Sequence, residues 1–292
     1  RRPPRPASGF TTIPMRMITR DDSPSRRPAL GDLWRWHQKY PSNRSSMRTS
    51  ARRRLALLLT VGFTTLWLAA GYITWIMNGC KAYMPFISDF DLYEPGDTIF
   101  TVGTFVTGYL VFWIIMEIHS MNMKRIQSAG HHTLWHGVNH LAVFPGLIGA
   151  FSCIRIGSVP WDTDGPMHGH YAFDIFTFGV YWCLLITAVT IRIWWNHPRF
   201  RTLIGLRILA ALSAFVGLFQ LIATQSQVWG EDFDWDAYNA LTADMMSFCT
   251  SSPYPMLNVS AVWEYVLVFG ILGTILSFLP EVDFEESSLE EE

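Results

Sequence analysis

Charged residues are scarce through most of this chain. Only 16% of its 292 residues are charged and 50% are hydrophobic. Stretches of about twenty residues are almost without charge, a length that matches the hydrocarbon core of a bilayer. The composition favours one helical membrane domain with tails over two soluble domains.

Several motifs that carry chemistry are also missing. The chain has no glycine-rich phosphate loop and no Ser, His and Asp set at motif spacing. Its basic N-terminal segment alone is no argument for nucleic-acid binding. We therefore expect no nucleic-acid partner and no cofactor.

Six apolar stretches have the length of a membrane span. Hydrocarbon offers the backbone no hydrogen-bond partners, so each stretch is expected to be helical. The sequence predicts an all-α, six-helix transmembrane bundle. Its predicted spans are residues 55–77, 99–118, 138–156, 172–194, 203–224 and 262–279.

The distribution of Lys and Arg predicts the orientation of the bundle. Of 22 basic residues, fourteen precede the first span. Lys124, Arg125, Arg199 and Arg201 lie in loops on that same side, whereas the loops on the opposite side have only Lys81. Arg155, Arg192 and Arg207 lie within spans or at their ends and are left out of this count. Because basic residues near span ends resist translocation, both termini are predicted to be cytoplasmic.

The two ends of the chain have opposite charge. We expect residues 1–54 to form a basic, disordered tail, residues 55–284 the membrane domain, and residues 285–292 an acidic tail. The basic run that ends in Arg52, Arg53 and Arg54 either sets the orientation or holds anionic lipid head groups. The chain begins with Arg1 rather than Met, so it is open whether the natural protein has a segment before Arg1.

Cysteine is rare, with four residues in all. The predicted topology places Cys80 and Cys249 in loops on the non-cytoplasmic side, and Cys153 and Cys183 inside helices. Oxidising conditions favour disulfides on that side. Cys80 and Cys249 are a candidate pair, although two exposed thiols can also stay apart.

The long loop before the last span carries two weaker candidates. Asp232, Asp234 and Asp236 offer oxygen ligands for Ca²⁺, but the glycine turn and distal Glu of an EF-hand loop are missing. Asn258 begins an Asn-Val-Ser sequon almost against the last span, which makes glycosylation doubtful.

Ionisable residues inside spans mark function or buried pairs. Arg155, Asp174 and Glu264 are predicted at similar depth near the non-cytoplasmic end of three different helices. They either bind a lipid head group or neutralise one another. The sequence does not show which faces meet.

The histidines form two separate groups. His132, His136 and His140 are spaced four apart and share one helix face, whereas His168 and His170 belong to the opposite side of the membrane. The groups cannot share a metal ion. We interpret the first group as interfacial anchors and predict no metal site.

Four short stretches together resemble the Frag/DRAM/Sfk family of six-span membrane proteins, which includes Cwh-type N-terminal domains. They are Met84–Asp89 after the first span, Asn139–Gly149 in the third, His170–Gly179 in the fourth, and Val262–Tyr265 in the last. The resemblance covers residues 55 to about 284. It implies that Ser88, Asp89, Asn139, His170 and Glu264 belong to an important site at the outer face.

The same resemblance implies two functions. The first is a non-catalytic regulator or scaffold of membrane lipid organisation or autophagy, which binds membrane lipids at the outer face and cytosolic proteins through its tails. The second is an enzyme, or an essential subunit of one, that remodels the lipid of GPI anchors by acyl transfer or hydrolysis. In that enzyme His170 acts as general base and Asp174, four residues later, orients it.

Transport is disfavoured because the middle thirds of the spans are nearly free of charge. We expect a multi-pass protein of the endomembrane system, meaning ER, Golgi, lysosome or vacuole, or of the plasma membrane.

Overall fold

The protein is described by a computed structural model that covers residues 43–83, 85–130, 133–229, 234, 237, 240–241, 244–251 and 255–283. The α-helices with defined bounds in these ranges are α1 (Asn43–Met77), α2 (Gly96–Ser128), α3 (Thr133–Ile156), α4 (Gly165–Trp194), α5 (Arg201–Val228), α6 (Met245–Ser251) and α7 (Pro255–Leu276). Residues 279–283 are helical as well. Short 3-10 helices lie at Ile87–Leu92 and Pro198–Phe200.

Six of these helices are long and apolar enough to cross a membrane. The predicted all-α fold with six spans is therefore confirmed. The helices are longer than the predicted spans, since α2 extends ten residues past its predicted end at Ile118. Polar residues at a helix end continue the backbone hydrogen bonds into the interface, so hydropathy alone underestimates helix length.

The start of α1 differs from the expected disordered tail. Helix begins at Asn43, so residues 43–54 are helical, while residues 1–42 and the acidic tail 285–292 lie outside the described ranges. Two arginines of this segment have acidic partners elsewhere in the bundle. The Arg53 Nε donates to Glu117 of α2 at 3.2 Å, and Arg54 lies 3.4 Å from Asp283.

The bundle has two chemically distinct ends. We call the end with the starts of α1, α3 and α5 the arginine end, because Arg53, Arg125 and Arg207 are partly or fully buried there. The opposite end, which carries the Cys80–Cys249 disulfide, is the disulfide end.

A buried ion-pair network holds four helices together at the arginine end. The fully buried Arg207 of α5 lies 2.7 Å from Glu281, which follows α7, and it also hydrogen-bonds Thr190 of α4. Arg125 of α2 pairs with the same carboxylate. Trp194 donates its indole N–H to that carboxylate at 2.8 Å. Removing one partner of this network would leave a buried charge uncompensated and would destabilise the bundle.

Close helix contacts depend on glycine. A Cβ on Gly217 of α5 would lie 2.6 Å from the backbone nitrogen of Leu267 in α7, and one on Gly270 would lie 2.5 Å from that of Ala214. In a membrane, small residues of this kind let helix backbones approach and pack by van der Waals contact. The sequence thus brings α5 and α7 together along two turns.

The loop after α1 enters the disulfide end of the bundle. We call residues 85–95, which contain the 3-10 helix Ile87–Leu92, the plug. Phe90 of the plug is 1% exposed, and its ring occupies the space that a side chain at Gly71 would take. The plug lies in contact with α2 and α7, so it forms one wall of the interior.

Candidate functional site

A cavity of about 140 Å³ lies inside the bundle between α1, α2, α3, α4, α7 and the plug. Its lining is mainly aliphatic and aromatic. An apolar cavity of roughly 150 Å³ is known to stay dry and to accept an apolar guest such as benzene. This cavity is therefore suited to a hydrocarbon segment.

Small residues create the middle of the cavity. Gly146 and Ala150 of α3 face Ile115 and Trp182, and a Cβ on Gly146 would lie 2.8 Å from a side-chain atom of each of these two neighbours. Gly179 of α4 is similarly close to α7. Close-packed interiors seldom contain voids larger than water, so a cavity of this size indicates a place for a ligand.

The polar groups of the lining concentrate toward the disulfide end. Ser88 of the plug, His168 of α4 and Glu264 of α7 all line the cavity there. His168 is 4% exposed and Glu264 is 5% exposed. A long apolar chamber therefore has a small polar group at one end.

Glu264 anchors the plug. Its Oε2 accepts a hydrogen bond from the backbone N–H of Ile87 at 2.8 Å, and the Asp89 carboxylate accepts one from the N–H of Phe86 at 2.8 Å. These two N–H groups lie at the start of the 3-10 helix, where no helical carbonyl is available to them. Both carboxyl groups thus cap the 3-10 helix: Asp89 belongs to the plug itself, and Glu264 belongs to α7.

Two acidic residues of the plug, Asp89 and Asp91, are kept away from water. Burial raises the pKa of Asp89 to about 7, although the hydrogen bond from Phe86 acts in the opposite direction. Burial, followed by the hydrogen bond and charge of Asp97, raises the pKa of Asp91 to about 8. Both carboxyl groups therefore titrate near neutral pH instead of near 4.

The tautomer of His168 follows from its partner. His168 Nδ1 lies 2.6 Å from the Val159 carbonyl oxygen, and a carbonyl can only accept, so Nδ1 carries the hydrogen. Its Nε2 has no hydrogen-bond partner within the described residues. In the neutral ring this nitrogen is an acceptor with its lone pair unused.

Three threonines make the remaining polar lining. Thr64 donates to the Thr60 carbonyl at 2.6 Å and Thr104 donates to the Phe100 carbonyl at 2.9 Å. Thr107 accepts a hydrogen bond from the Trp67 indole at 3.0 Å. The three threonine hydroxyl groups thus form hydrogen bonds mainly within the protein.

The structure brings together three of the residues that the sequence proposed for the outer site. Ser88, Asp89 and Glu264 meet at the plug, since Ser88 and Glu264 line the cavity and Asp89 lies beside them in the plug. Their sequence separation is large, but the plug folds back against α7 through the Ile87–Glu264 hydrogen bond.

Arg155, His170 and Asp174 lie elsewhere at the same end. Arg155 is exposed and forms no ion pair with Asp174 or Glu264 in the described ranges. The His170 side chain is 64% exposed, with its Nε2 3.6 Å from Asp174. Asp174 accepts a hydrogen bond from Ser152 at 3.3 Å. None of the three lines the cavity, so the expected layer of converging charges does not form around it.

Asn139 lies at the opposite end of the bundle. Its amide donates to the carbonyl of His119 at 3.1 Å and lies 3.0 Å from the ring of the same residue. Asn139 therefore links α3 to α2 at the arginine end. It is separate from the outer group to which the resemblance assigned it.

The remaining candidates are distributed as follows. Cys80 and Cys249 form a disulfide, whereas Cys153 and Cys183 are free. Asn258 is the fourth residue of α7, at the start of a span. Of the suggested Ca²⁺ ligands, Asp232 and Asp236 lie outside the described residues, as does His132 of the histidine group.

His168 is the functional candidate that sequence reasoning missed. The cavity-facing positions of α4 begin at His168 and continue through Ala172, Ile175 and Gly179, at steps of four, three and four. That spacing defines one helix face. His170, which was the predicted base, falls outside this face. Following the apolar stripe of the fourth helix back to its first turn would have identified His168.

Comparison with known proteins agrees with this architecture. A family model described as Frag1/DRAM/Sfk1/Cwh43P N-terminal domain matches residues 34–286. No curated protein and no solved structure matches the chain significantly.

Proposed function

The chain belongs to the Frag1/DRAM/Sfk1/Cwh43P N-terminal domain family, and from this membership we propose that it is a non-catalytic regulator of membrane lipid organisation that binds a lipid inside its bundle. The hydrocarbon part of the lipid occupies the apolar chamber. Its polar part lies toward Ser88, His168 and Glu264 at the disulfide end.

The observation that carries this proposal is the composition of the cavity. Ile115 and Trp182 line its middle, while the buried polar residues His168 and Glu264 line one end. Lipids have the same division between a hydrocarbon part and a polar part. A few polar groups in a mainly apolar cavity are the usual arrangement of a small-molecule site.

The alternative is an enzyme that acts on the lipid of GPI anchors, favoured by a hydroxyl, an imidazole and a carboxyl on one cavity. A Ser, His and acid triad requires the acid to hydrogen-bond the imidazole. Here His168 Nδ1 bonds the Val159 carbonyl and Glu264 Oε2 bonds the Ile87 N–H. This pairing supports recognition more than acyl transfer.

In this proposal the protein works in an endomembrane or in the plasma membrane. The basic head and the acidic tail carry opposite charge and lie on the same predicted side. Both tails are proposed to bind cytosolic proteins. These partners would couple lipid binding to lipid organisation or to autophagy.

Lipid capture in cells tests the proposal. Cells are fed a fatty acid that carries a photoactivatable group and a clickable tag, irradiated, and the lipid crosslinked to the purified protein is measured. Val268→Trp places an indole in the cavity, whereas Val262→Trp, on the same helix, places one on an exposed position. We expect crosslinking to fall about tenfold in the first variant and to remain unchanged in the second.

Equal labelling of the wild type and both variants would show that lipids contact only the outside of the bundle. The lipid profile of cells that lack the protein separates the two functions. A regulator alters the amounts and distribution of lipids, whereas loss of a remodelling enzyme leaves unprocessed anchors that Ser88→Ala also fails to convert.

A further inference from the structure

The polar end of the cavity is rich in hydrogen-bond acceptors and holds no Lys or Arg side chain. Its polar lining includes Ser88, His168, Glu264 and three threonines. No Lys or Arg lines the cavity in the part of the chain that the structure describes. A negatively charged head group would find no counter-charge there.

The threonine protons are already used. Thr64 donates to the Thr60 carbonyl and Thr104 to the Phe100 carbonyl, so neither hydroxyl hydrogen is available to a ligand. Thr107 lies 3.1 Å from the Thr64 hydroxyl oxygen. Because the Thr64 proton is committed to Thr60, Thr107 is the donor in that pair. The three hydroxyl groups thus offer lone pairs and no protons.

The unpartnered ring nitrogen of His168 is an acceptor as well. His168 Nε2 has no partner among the described residues, and its neutral ring presents a lone pair there. Glu264 uses Oε2 for the Ile87 N–H, which leaves Oε1 to accept from a ligand when the carboxyl is ionised and to donate when it is protonated. A ligand that donates a hydrogen bond completes these groups, whereas a buried acceptor left without a donor is costly.

A phosphate has the opposite requirements. Phosphate groups are held by Arg, Lys, backbone N–H groups or helix N-termini, which supply several donors and positive potential. An ionised Glu264 repels a phosphate, and a neutral one offers it a single O–H. The Ile87 N–H, a backbone donor beside the cavity, is occupied by Glu264 itself.

Building on the lipid-binding function proposed above, we infer that the bound lipid is a phosphate-free lipid with a free hydroxyl group. The hydroxyl donates a hydrogen bond at the His168 and Glu264 end, while the hydrocarbon part extends toward Ile115 and Trp182. The Ser88 hydroxyl, which can donate or accept, adapts to the neighbouring ester, amide or ring oxygen of the lipid.

Competition among three matched lipids tests the inference. The full-length protein is placed in phosphatidylcholine nanodiscs with a trace of diacylglycerol that carries a diazirine in one acyl chain. Unlabelled dioleoylglycerol, its 3-acetyl ester and dioleoyl phosphatidic acid compete. They share the same chains and differ only in the polar end, which presents a donor, a blocked donor or a phosphate.

We expect dioleoylglycerol to compete best, with the acetyl ester and the phosphatidic acid at least about tenfold weaker. Equal competition by the alcohol and its acetyl ester would show that the site does not recognise the lipid hydroxyl as a hydrogen-bond donor. Stronger competition by phosphatidic acid would show that the site prefers an anion. Either result overturns the inference.

Two histidine variants locate the contact. His168→Phe keeps an aromatic ring beside Phe100, whose ring centroid lies 6.0 Å away, but removes the acceptor. We expect it to abolish the advantage of dioleoylglycerol over the acetyl ester, while total crosslinking persists. His170→Phe, two residues later and exposed, should leave that advantage unchanged. An unchanged preference in His168→Phe, with the variant folded, would exclude His168 as the acceptor.

The two proposals fail in different ways. If Val268→Trp leaves crosslinking of every lipid unchanged, no lipid occupies the cavity and the proposed function fails. If Val268→Trp blocks crosslinking but the alcohol shows no preference, the lipid site stands and its assignment to hydroxyl lipids is overturned. The wild-type competition does not depend on whether any variant folds.

Discussion

Asp89 is a carboxyl group that the folded chain keeps away from water. It is 5% exposed, and burial raises its pKa to about 7 from an ordinary value near 4. The folded state therefore binds a proton more tightly than the unfolded state does. The stability associated with this proton is present below pH 4 and is lost as the pH rises toward 7.

We predict that the melting temperature of the protein in detergent decreases between pH 5 and pH 7, and that Asp89→Asn flattens this slope. One such carboxyl contributes at most about 1.4 kcal/mol per pH unit. The asparagine keeps an oxygen for the Phe86 N–H but does not ionise. Asp234→Asn, at an exposed position, should leave the slope unchanged. A slope that persists in Asp89→Asn would assign it to other groups, with Asp91 the first to be examined.

Glu264 is needed by the plug for an oxygen, not for a charge. Its Oε2 accepts the Ile87 N–H at 2.8 Å. We predict that Glu264→Ala, which leaves that buried N–H without a partner, destabilises the protein by about 1–3 kcal/mol. Glu264→Gln retains an acceptor and should lose less than half as much. Thermal unfolding in detergent measures both variants. Equal losses would show that the negative charge is essential.

The predictability of these residues depended on their surroundings in the chain. Glu264 was recognisable because an acidic residue inside an apolar stretch is costly and therefore conspicuous. His168 lies in the polar first turn of α4, where a histidine is unremarkable by composition. Its significance comes from Val159, which fixes the ring, and from the cavity, and both are tertiary features.

The plug is the element that organises the disulfide end. Its 3-10 helix has only six residues, too few to show a hydrophobic period, and so the sequence favoured only a loop. The six long helices were predictable because twenty apolar residues have few alternatives in lipid. The plug becomes ordered by contacts from distant segments, such as Phe90 against Gly71 and Ile87 against Glu264.

The contact between α5 and α7 depends on glycine in the same way. A Cβ at position 217 would lie 2.6 Å from the Leu267 backbone, which cannot move without the helix. We predict that Gly217→Ala separates the two helices and costs about 1–3 kcal/mol. Gly205→Ala, on the same helix with nothing within 4 Å, should be neutral or stabilising by up to about 1 kcal/mol.

Each variant adds one methyl group to the same helix, so the gain in helix propensity is similar in both. The difference between their stabilities therefore reports the packing around position 217. Thermal unfolding in detergent gives the difference. Similar melting temperatures for the two would mean that α5 and α7 have freedom to separate, contrary to the packing seen around Gly217 and Gly270.

At the scale of the whole molecule, charge and covalent chemistry agree on one orientation. Buried arginines and their ion pairs occupy the arginine end, and the disulfide occupies the other. Lys and Arg favour the cytoplasmic side, and disulfides persist in oxidising compartments. We therefore predict that the plug and the polar end of the cavity face the lumen or the cell exterior.

Glycosylation tags inserted at two loops test this orientation. Ser158, between α3 and α4, and Ser128, at the end of α2, are both exposed but lie at opposite ends of the bundle. A flexible insert with an Asn-X-Ser site should be glycosylated at Ser158 and not at Ser128, because the transferase acts only in the lumen. The natural Asn258 is no substitute, since it lies inside α7. Glycosylation at Ser128 alone would show that the bundle has the opposite orientation, with the lipid's hydroxyl group on the cytoplasmic side.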